Sequence, residues 1–227
     1  MSDTSSVLLL GIGNVLWADE GFGVRVVEHL RRHYRFPESV TVMDGGTQGV
    51  YLVEHVQAAE VLVIFDAIDY GLAPGTLHCL YDDEVPAFLG AKKMSLHQTG
   101  FQEVLIMARM LGQYPKQLLL IGVQPYELDD YGGSLRAEVK AQLQPAIERA
   151  LAYLRQFGVE ALRLSGLERL DDPALDIQRY ENERPSAEAA CRVGDGRVLA
   201  NCAYQLKRPG PSDAAMRLID VDHRGKY

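Results

Sequence analysis

The sequence predicts an α/β protein: a mostly parallel, twisted sheet with helices on both faces, followed by a C-terminal extension. Three observations carry that prediction. Short apolar runs recur along the chain, turn residues bound them, and stretches with helical spacing alternate with them. A run that is apolar throughout, rather than at every second residue, belongs to a strand buried on both faces, as in a parallel sheet between helical layers.

Val7-Leu8-Leu9-Leu10 is the first such run, and Gly11-Ile12-Gly13-Asn14 breaks it. A helix is expected next, because Phe22, Val26 and Leu30 recur every four residues with Val27 and Tyr34 beside them. Asp19 and Glu20 stand just before that helix or in its first turn, where the helix dipole favours negative charge. Residues 40–43 form a second strand, ended by the turn signal Asp44-Gly45-Gly46. Residues 51–56 read as a short helix, and Val61-Leu62-Val63-Ile64-Phe65 as the clearest buried strand, ending at Asp66. After a Pro74-Gly75 turn, residues 76–81 form another strand. Phe101, Val104, Leu105, Ala108 and Leu111 make one apolar stripe. Two capping boxes compete for the start of that helix, Ser95 with Gln98 and Thr99 with Gln102. Residues 118–123 are a further buried strand, and a long helix runs from after Ser134 towards Phe157, kinked or interrupted by Pro145.

Beyond about residue 164 the apolar periodicity fades, and Pro173, Pro185, Pro209 and Pro211 punctuate the chain. The expected organisation is therefore an α/β domain over residues 1–164 and an extension over 165–227, either a tail or a small subdomain. The 227 residues, 47% apolar and 24% charged, can bury a sizeable core without staples. With 23 Lys+Arg against 31 Asp+Glu the formal charge is −8, which disfavours non-specific attraction to nucleic acid or anionic lipid. No apolar stretch has the length needed to span a bilayer, so neither a nucleic-acid partner nor membrane insertion is expected. Cys79, Cys191 and Cys202 are too few and too irregular for a disulfide framework, and no C-x-x-C pair suggests zinc. Together these features point to a cytoplasmic protein with reduced thiols.

In an open α/β sheet, ligands bind beyond the carboxyl ends of the strands. Asp19/Glu20, Asp44 and Asp66 all fall there or close by. Carboxylates gathered at such a crevice suit a divalent metal or acid–base work. Taken singly, each is also the kind of acid that caps a helix or fills a turn. His97 lies in the polar stretch Ser95-Leu96-His97-Gln98-Thr99-Gly100 that opens a helix. A helix N-terminus disfavours imidazolium and so favours the neutral, metal-ligating form, although such a histidine also serves as a capping or surface residue. His29, His33, His55 and His78 fall within predicted elements, where surface or packing roles are expected.

Gly11-x-Gly13 between a strand and a helix raises a dinucleotide-binding alternative, with Asp44 where a ribose-binding acid would sit. The G-x-G-x-x-G fingerprint fails at its third position, which is Leu16, and Asp19 and Glu20 place negative charge where a pyrophosphate would lie. Neither G-x-S-x-G nor H-E-x-x-H occurs.

Taken in order, Leu10-Gly11-Ile12-Gly13-Asn14, Asp19-Glu20-Gly21-Phe22-Gly23-Val24, Asp44-Gly45-Gly46-Thr47, Asp66-Ala67, Pro74-Gly75-Thr76, His97-Gln98 and Leu120-Ile121-Gly122-Val123-Gln124-Pro125 resemble the nickel–iron hydrogenase maturation endopeptidases. The similarity runs from about residue 7 to about residue 162. The Trp17-Ala18-Asp19-Glu20 and Lys92-Lys93-Met94-Ser95-Leu96-His97 segments look most like members serving membrane-bound uptake hydrogenases. The resemblance implies removal of a C-terminal extension from the nickel-loaded large-subunit precursor of a hydrogenase. It implies Glu20, Asp66 and His97 as metal ligands, with nickel presented by the precursor as the metal. The family is often grouped with aspartic peptidases, and Asp44 is then the candidate acid–base residue. The alternative within the same resemblance is a non-catalytic maturation chaperone that binds the nickel-loaded precursor. Residues 179–186 resemble extensions of longer family members, which either dock the precursor or cover part of the body.

Overall fold

The computed structural model describes residues 5–91, 96–166 and 176–184, with the backbone alone for 88–91 and 96–99. In chain order the elements are β1 (Val7–Ile12), α1 (Phe22–His33), β2 (Tyr34–Arg35), β3 (Val40–Gly46), α2 (Val53–Ala58), β4 (Val61–Ala67) and β5 (Leu77–Tyr81). There follow α3 (Glu84–Ala91), α4 (Leu96–Met110), β6 (Gln117–Val123), α5 (Ala137–Lys140), α6 (Leu143–Leu154), β7 (Leu162–Arg163) and α7 (Ile177–Glu183). The main sheet has the order β3-β1-β4-β6-β5. Its first four strands are parallel, and β5 closes one edge antiparallel to β6.

The connectivity creates a crevice. From β1 the chain crosses to β3 on one side, then returns past β1 to β4 on the other. Such a reversal parts the loops above the carboxyl ends of β1, β3 and β4, the place where open α/β sheets take ligands. Both faces of the sheet are buried, which is why its inner strands are apolar throughout. Leu9, Val63, Phe65 and Ile121 pack with Phe22, Val26 and Leu30 of α1 and Ile147 of α6. Leu8, Leu10, Ile64 and Leu120 pack on the other face with Val56 of α2 and Phe101 and Leu105 of α4. Successive residues of one strand thus feed opposite cores, as the period of two requires.

Two glycines bring α1 against the sheet. A Cβ on Gly23 would stand 2.1 Å from the Phe65 carbonyl oxygen and 2.4 Å from that of Ile12. A Cβ on Gly11 would stand 2.3 Å from the Gly23 oxygen. These glycines therefore serve helix–strand packing.

Several boundaries differ from the sequence reading. The second strand continues through Asp44 and Gly45 to Gly46, with Asp44 and Gly46 still paired with β1 and Gly45 bulged between them. The long helix is interrupted as Pro145 leads one to expect: the break falls at residues 141–142, where the proline can neither donate to nor fit against the carbonyl four residues earlier, and the proline itself lies in the first turn of α6. The helix α4 starts at Leu96, which makes Thr99 an interior residue rather than a cap. It also stops at Met110, so Leu111 leaves the predicted buried stripe and is 62% exposed. The pairing of β2 with β7 and the helices α3 and α7 are additions. Within the expected extension, residues 176–184 lie against the body: Asp176 pairs with Arg32, and Tyr180 lies under the Arg25 guanidinium. Cys79 is a free, half-buried thiol accepting from Arg149 Nη1 at 3.4 Å. Cys191 and Cys202 lie outside the described residues.

Candidate active site at the carboxyl edge of the sheet

The register of the sheet places the acids. Gly11 is level with Asp44 on β3 and with Phe65 on β4, so Asp66 stands one residue further towards the carboxyl edge, beside Gly122 of β6. Asp66 is only 3% exposed. Its Oδ1 accepts the Ala67 N–H at 2.8 Å. Alternation along β4 sends Phe65 to the α1 face and Asp66, like Ile64, to the face covered by α2 and α4.

Asp19 and Glu20 are separated by the fold. Asp19 is fully buried, and its carboxylate accepts three backbone N–H groups, from Tyr126 and Glu127 at 2.9 Å each and from Arg136 at 2.7 Å. Its own N–H donates to the Glu127 carbonyl at 3.1 Å. Asp19 is therefore a structural acceptor that sews the loop after β1 to the loop after β6. Glu20, half-buried, sits in the short helical turn over Ala18–Gly21. That turn folds back on β1: the Glu20 carbonyl accepts the Asn14 N–H at 3.2 Å, and a Cβ on Gly13 would fall 1.8 Å from the same oxygen. Gly13, with φ of +128°, is thus required by the chain's own closure.

His97 is the second residue of α4. Its side chain lies outside the described residues. One turn later, a Cβ on Gly100 would touch Gly49 Cα at 3.7 Å, in the turn that follows β3. The start of α4 therefore stands at the carboxyl edge of the sheet, on the face that Asp66 shares. Among the described residues, no group of three His, Cys, Asp or Glu side chains is gathered closely enough to hold a metal. The turn that carries Glu20 stands at the carboxyl edge beside β4, the strand that ends in Asp66 and Ala67.

Asp44 lies elsewhere on that edge. Gly45 faces Leu10 and Leu52, so Asp44 faces the α1 side, where its charge is felt by Glu28. It is exposed, and its Oδ1 accepts the Gly46 N–H at 2.9 Å. Burial pushes the Glu28 carboxyl above its ordinary range, against the pull of Arg25 and with the help of Asp44 and Asp176. Asp44 and Asp66 thus point to opposite faces, two interstrand spacings or about 10 Å apart.

Two further residues shape the crevice. Gln124, almost fully buried, accepts the N–H groups of Tyr70 and Leu72 at 2.7 and 3.1 Å and donates to Asp69 at 3.0 Å, fixing the loop after β4. Tyr70 lies against Gly122, where a Cβ would fall 2.0 Å from its hydroxyl oxygen. Burial, then the charges of Asp66 and Cys79, push the Tyr70 phenol far above its ordinary range. Its signal in the sequence was weak, a tyrosine in an Asp-Tyr-Gly turn four residues after Asp66. The surrounding loops carry exposed apolar side chains, Leu16 after β1, Tyr51 after β3, Leu72 after β4 and Tyr126 after β6, with Tyr51 79% exposed.

Residues 24–153 match the family model described as hydrogenase maturation protease. The chain is 60% identical to the hydrogenase expression/formation protein HupD of Thiocapsa roseopersicina over 214 residues, 92% of this chain and 97% of that protein. It is 45% identical to the hydrogenase 2 maturation protease of Escherichia coli K12 over 157 residues, 69% of this chain and 94% of that one. Among solved structures, the hydrogenase maturating endopeptidase HybD from E. coli superposes with a TM-score of 0.66 at 44% identity, covering 69% of this chain and 96% of that one. The HybD maturation protease of Thermococcus kodakarensis does so with a TM-score of 0.54 at 30% identity, covering 65% and 97%. With its fold, its ordered motifs and these relatives in agreement, the chain belongs to the hydrogenase maturation protease family and is an endopeptidase of hydrogenase maturation.

Proposed function

We propose that this enzyme removes a C-terminal extension from the nickel-loaded large-subunit precursor of a nickel–iron hydrogenase, of the membrane-bound uptake type, in the cytoplasm. The observation that supports the reading is that the Glu20 turn, the carboxyl end of β4 with its buried Asp66, and the first turns of α4 all lie at the same edge of the sheet. Two carboxylates and an imidazole form a mixed O/N donor set that suits a borderline divalent ion such as nickel and leaves positions for the substrate's own ligands. Nickel belongs to the substrate here. Glu20, Asp66 and His97 grip it, and this grip holds the adjoining peptide in place.

An extended peptide anchored near Asp66 and crossing β1 reaches Asp44 within about three residues of its length. Asp44 is then the group that takes and returns a proton as water attacks the scissile carbonyl, which is the aspartic-peptidase role. The exposed Leu16, Tyr51 and Tyr126 border that path and offer apolar contacts to the precursor. No described helix is long and apolar enough to cross a membrane.

The test is mass spectrometry of a cognate precursor incubated with the enzyme, with and without nickel loaded. A single C-terminal peptide released only from the nickel-loaded form, and lost in Glu20→Gln and His97→Ala, is the expected result. Release irrespective of nickel would sink the metal grip, and a stable complex without cleavage would point to the chaperone reading.

A further inference from the structure

The helix α7 lies in the segment for which the sequence offered no role, yet it grips the residues that in turn hold the loop carrying Glu20. Asp176 caps it, with Oδ1 accepting the N–H groups of Gln178 and Arg179 at 3.0 and 3.2 Å. On one side, the Arg32–Asp176 ion pair and the Arg25 guanidinium, 5.3 Å from the Tyr180 ring centre, hold α7 to α1. On the other side α7 grasps residues 132–134 by their polar atoms. Tyr180 Oη donates to the Gly133 carbonyl at 3.3 Å and Arg184 Nη1 to the Gly132 carbonyl at 3.2 Å. Glu181 accepts from Ser134 Oγ at 2.8 Å and from Lys140 Nζ at 2.6 Å.

The same stretch, residues 131–136, holds the Glu20 loop, with Gly132 serving both sides. The Gly132 N–H donates to the Leu16 carbonyl at 2.7 Å, and the Arg136 N–H to Asp19 Oδ1 at 2.7 Å. Trp17 forms a bridge with Tyr131, and their rings meet edge to face at 5.2 Å. Gly132 is thus gripped at its carbonyl by α7 while its N–H grips the loop after β1. The helix α1, to which α7 is anchored, begins directly after that loop.

We propose that α7 is a brace that positions Glu20, acting through Tyr180, Glu181 and Arg184 on residues 132–136 and through these on residues 16–19. The three α7 residues are positioning residues, two contacts removed from any substrate atom. The nine residues 13–21 between β1 and α1 have many accessible arrangements, and each bond that restricts them lowers the entropy lost when Glu20 engages a metal. The proposal rests on the reading of Glu20 as a ligand of nickel, and its test separates the two.

Trp17 is the sole tryptophan, so its fluorescence reports this loop alone. In the full-length chain, the double variant Tyr180→Phe/Arg184→Ala removes both bonds to the glycine carbonyls while leaving the Asp176 cap and the Arg32 pair. Expected are greater acrylamide quenching of Trp17 and an affinity for nickel ion, measured by titration calorimetry, weaker by about tenfold, the usual cost of losing an outer-shell support. Arg184→Lys, which restores a donor, recovers both readouts in part. Arg179→Ala, on the exposed Arg179–Glu183 pair of the same helix, changes neither. Quenching equal to that of the native chain in the double variant overturns the brace, as does looser Trp17 with unchanged nickel affinity. Glu20→Gln decides the underlying reading. If it binds nickel as tightly as the native chain, Glu20 is no ligand and the role fails with it. If it loses nickel while the double variant does not, the brace alone is overturned.

Discussion

The carboxylate of Asp19 accepts the backbone N–H of Arg136 at 2.7 Å across 117 positions of sequence. With the N–H groups of Tyr126 and Glu127 it completes a three-donor cradle around a fully buried charge. Neutralising that charge should be costly. In Asp19→Asn one carboxylate oxygen becomes an NH2 group facing backbone donors, so at least one buried N–H loses its acceptor. The expected loss is about 2–4 kcal/mol, read as a lower urea midpoint with unchanged slope. A variant as stable as the native chain would show that the cradle adds little.

That pair of acids also shows where sequence reading stops. Asp19 and Glu20 are adjacent, alike in charge and alike in position before α1, yet one is an internal strut and the other borders the crevice. What separates them is the loop over residues 126–136, too distant in sequence for any local pattern to announce. By contrast β1, β4 and β6 were legible as continuous apolar runs, because burial on both faces leaves no room for polar alternation. The strands β2 and β7 have two residues each and no periodicity to detect. The helix α7 is held by polar contacts to other elements rather than by an apolar stripe, so its sequence reads as a tail. The acids at the strand ends were legible from topology alone, but their facing was not. It took the register of β3 and β4 to place Asp44 and Asp66 on opposite faces.

Gly23 is where the packing of α1 tolerates least. A Cβ there would meet two backbone oxygens, those of Phe65 at 2.1 Å and Ile12 at 2.4 Å, and strands bonded on both sides cannot retreat. Gly23→Ala should therefore cost about 3 kcal/mol or more, or prevent folding. Gly112→Ala is the contrast: φ is +78°, but nothing lies within 4 Å of the added carbon. Only the backbone strain of about 1–2 kcal/mol is expected there. Thermal unfolding of the two variants side by side measures the difference, and equal midpoints would contradict the packing argument.

Asp44→Asn separates the chemical from the structural role of Asp44. The Oδ1 that accepts the Gly46 N–H at 2.9 Å survives in asparagine as a carbonyl oxygen, so the turn keeps its bond. Only the ionisable proton site is lost. If Asp44 moves the proton during hydrolysis, precursor cleavage should fall by about 10²–10⁴-fold. Stability and nickel affinity should stay close to those of the native chain. If Asp44 only shapes the turn, cleavage will survive with them.

Acid should release α7 before it unfolds the sheet. Burial alone would raise the Glu181 carboxyl, but the hydrogen bonds from Lys140 and Ser134, with the charges of Lys140 and Arg184, outweigh it and hold the group below its ordinary 4.5. A carboxyl lowered in the folded state contributes stability that is complete above the unfolded value and is lost as pH falls through the folded one. The contacts of Glu181 should therefore be intact at neutral pH and weaken below about 4.5. Glu28 has the opposite sign. Its raised carboxyl contributes most below the unfolded value and loses that contribution as pH rises through the folded value, so it does not produce an acid release. Hydrogen exchange of the α7 amides between pH 3 and 7, corrected for intrinsic rates, should show protection falling at the acid end of the range. In Glu181→Gln, which cannot ionise, protection should be lower at neutral pH and less dependent on acid. An acid profile identical in the two proteins would remove Glu181 from the account of how α7 is held.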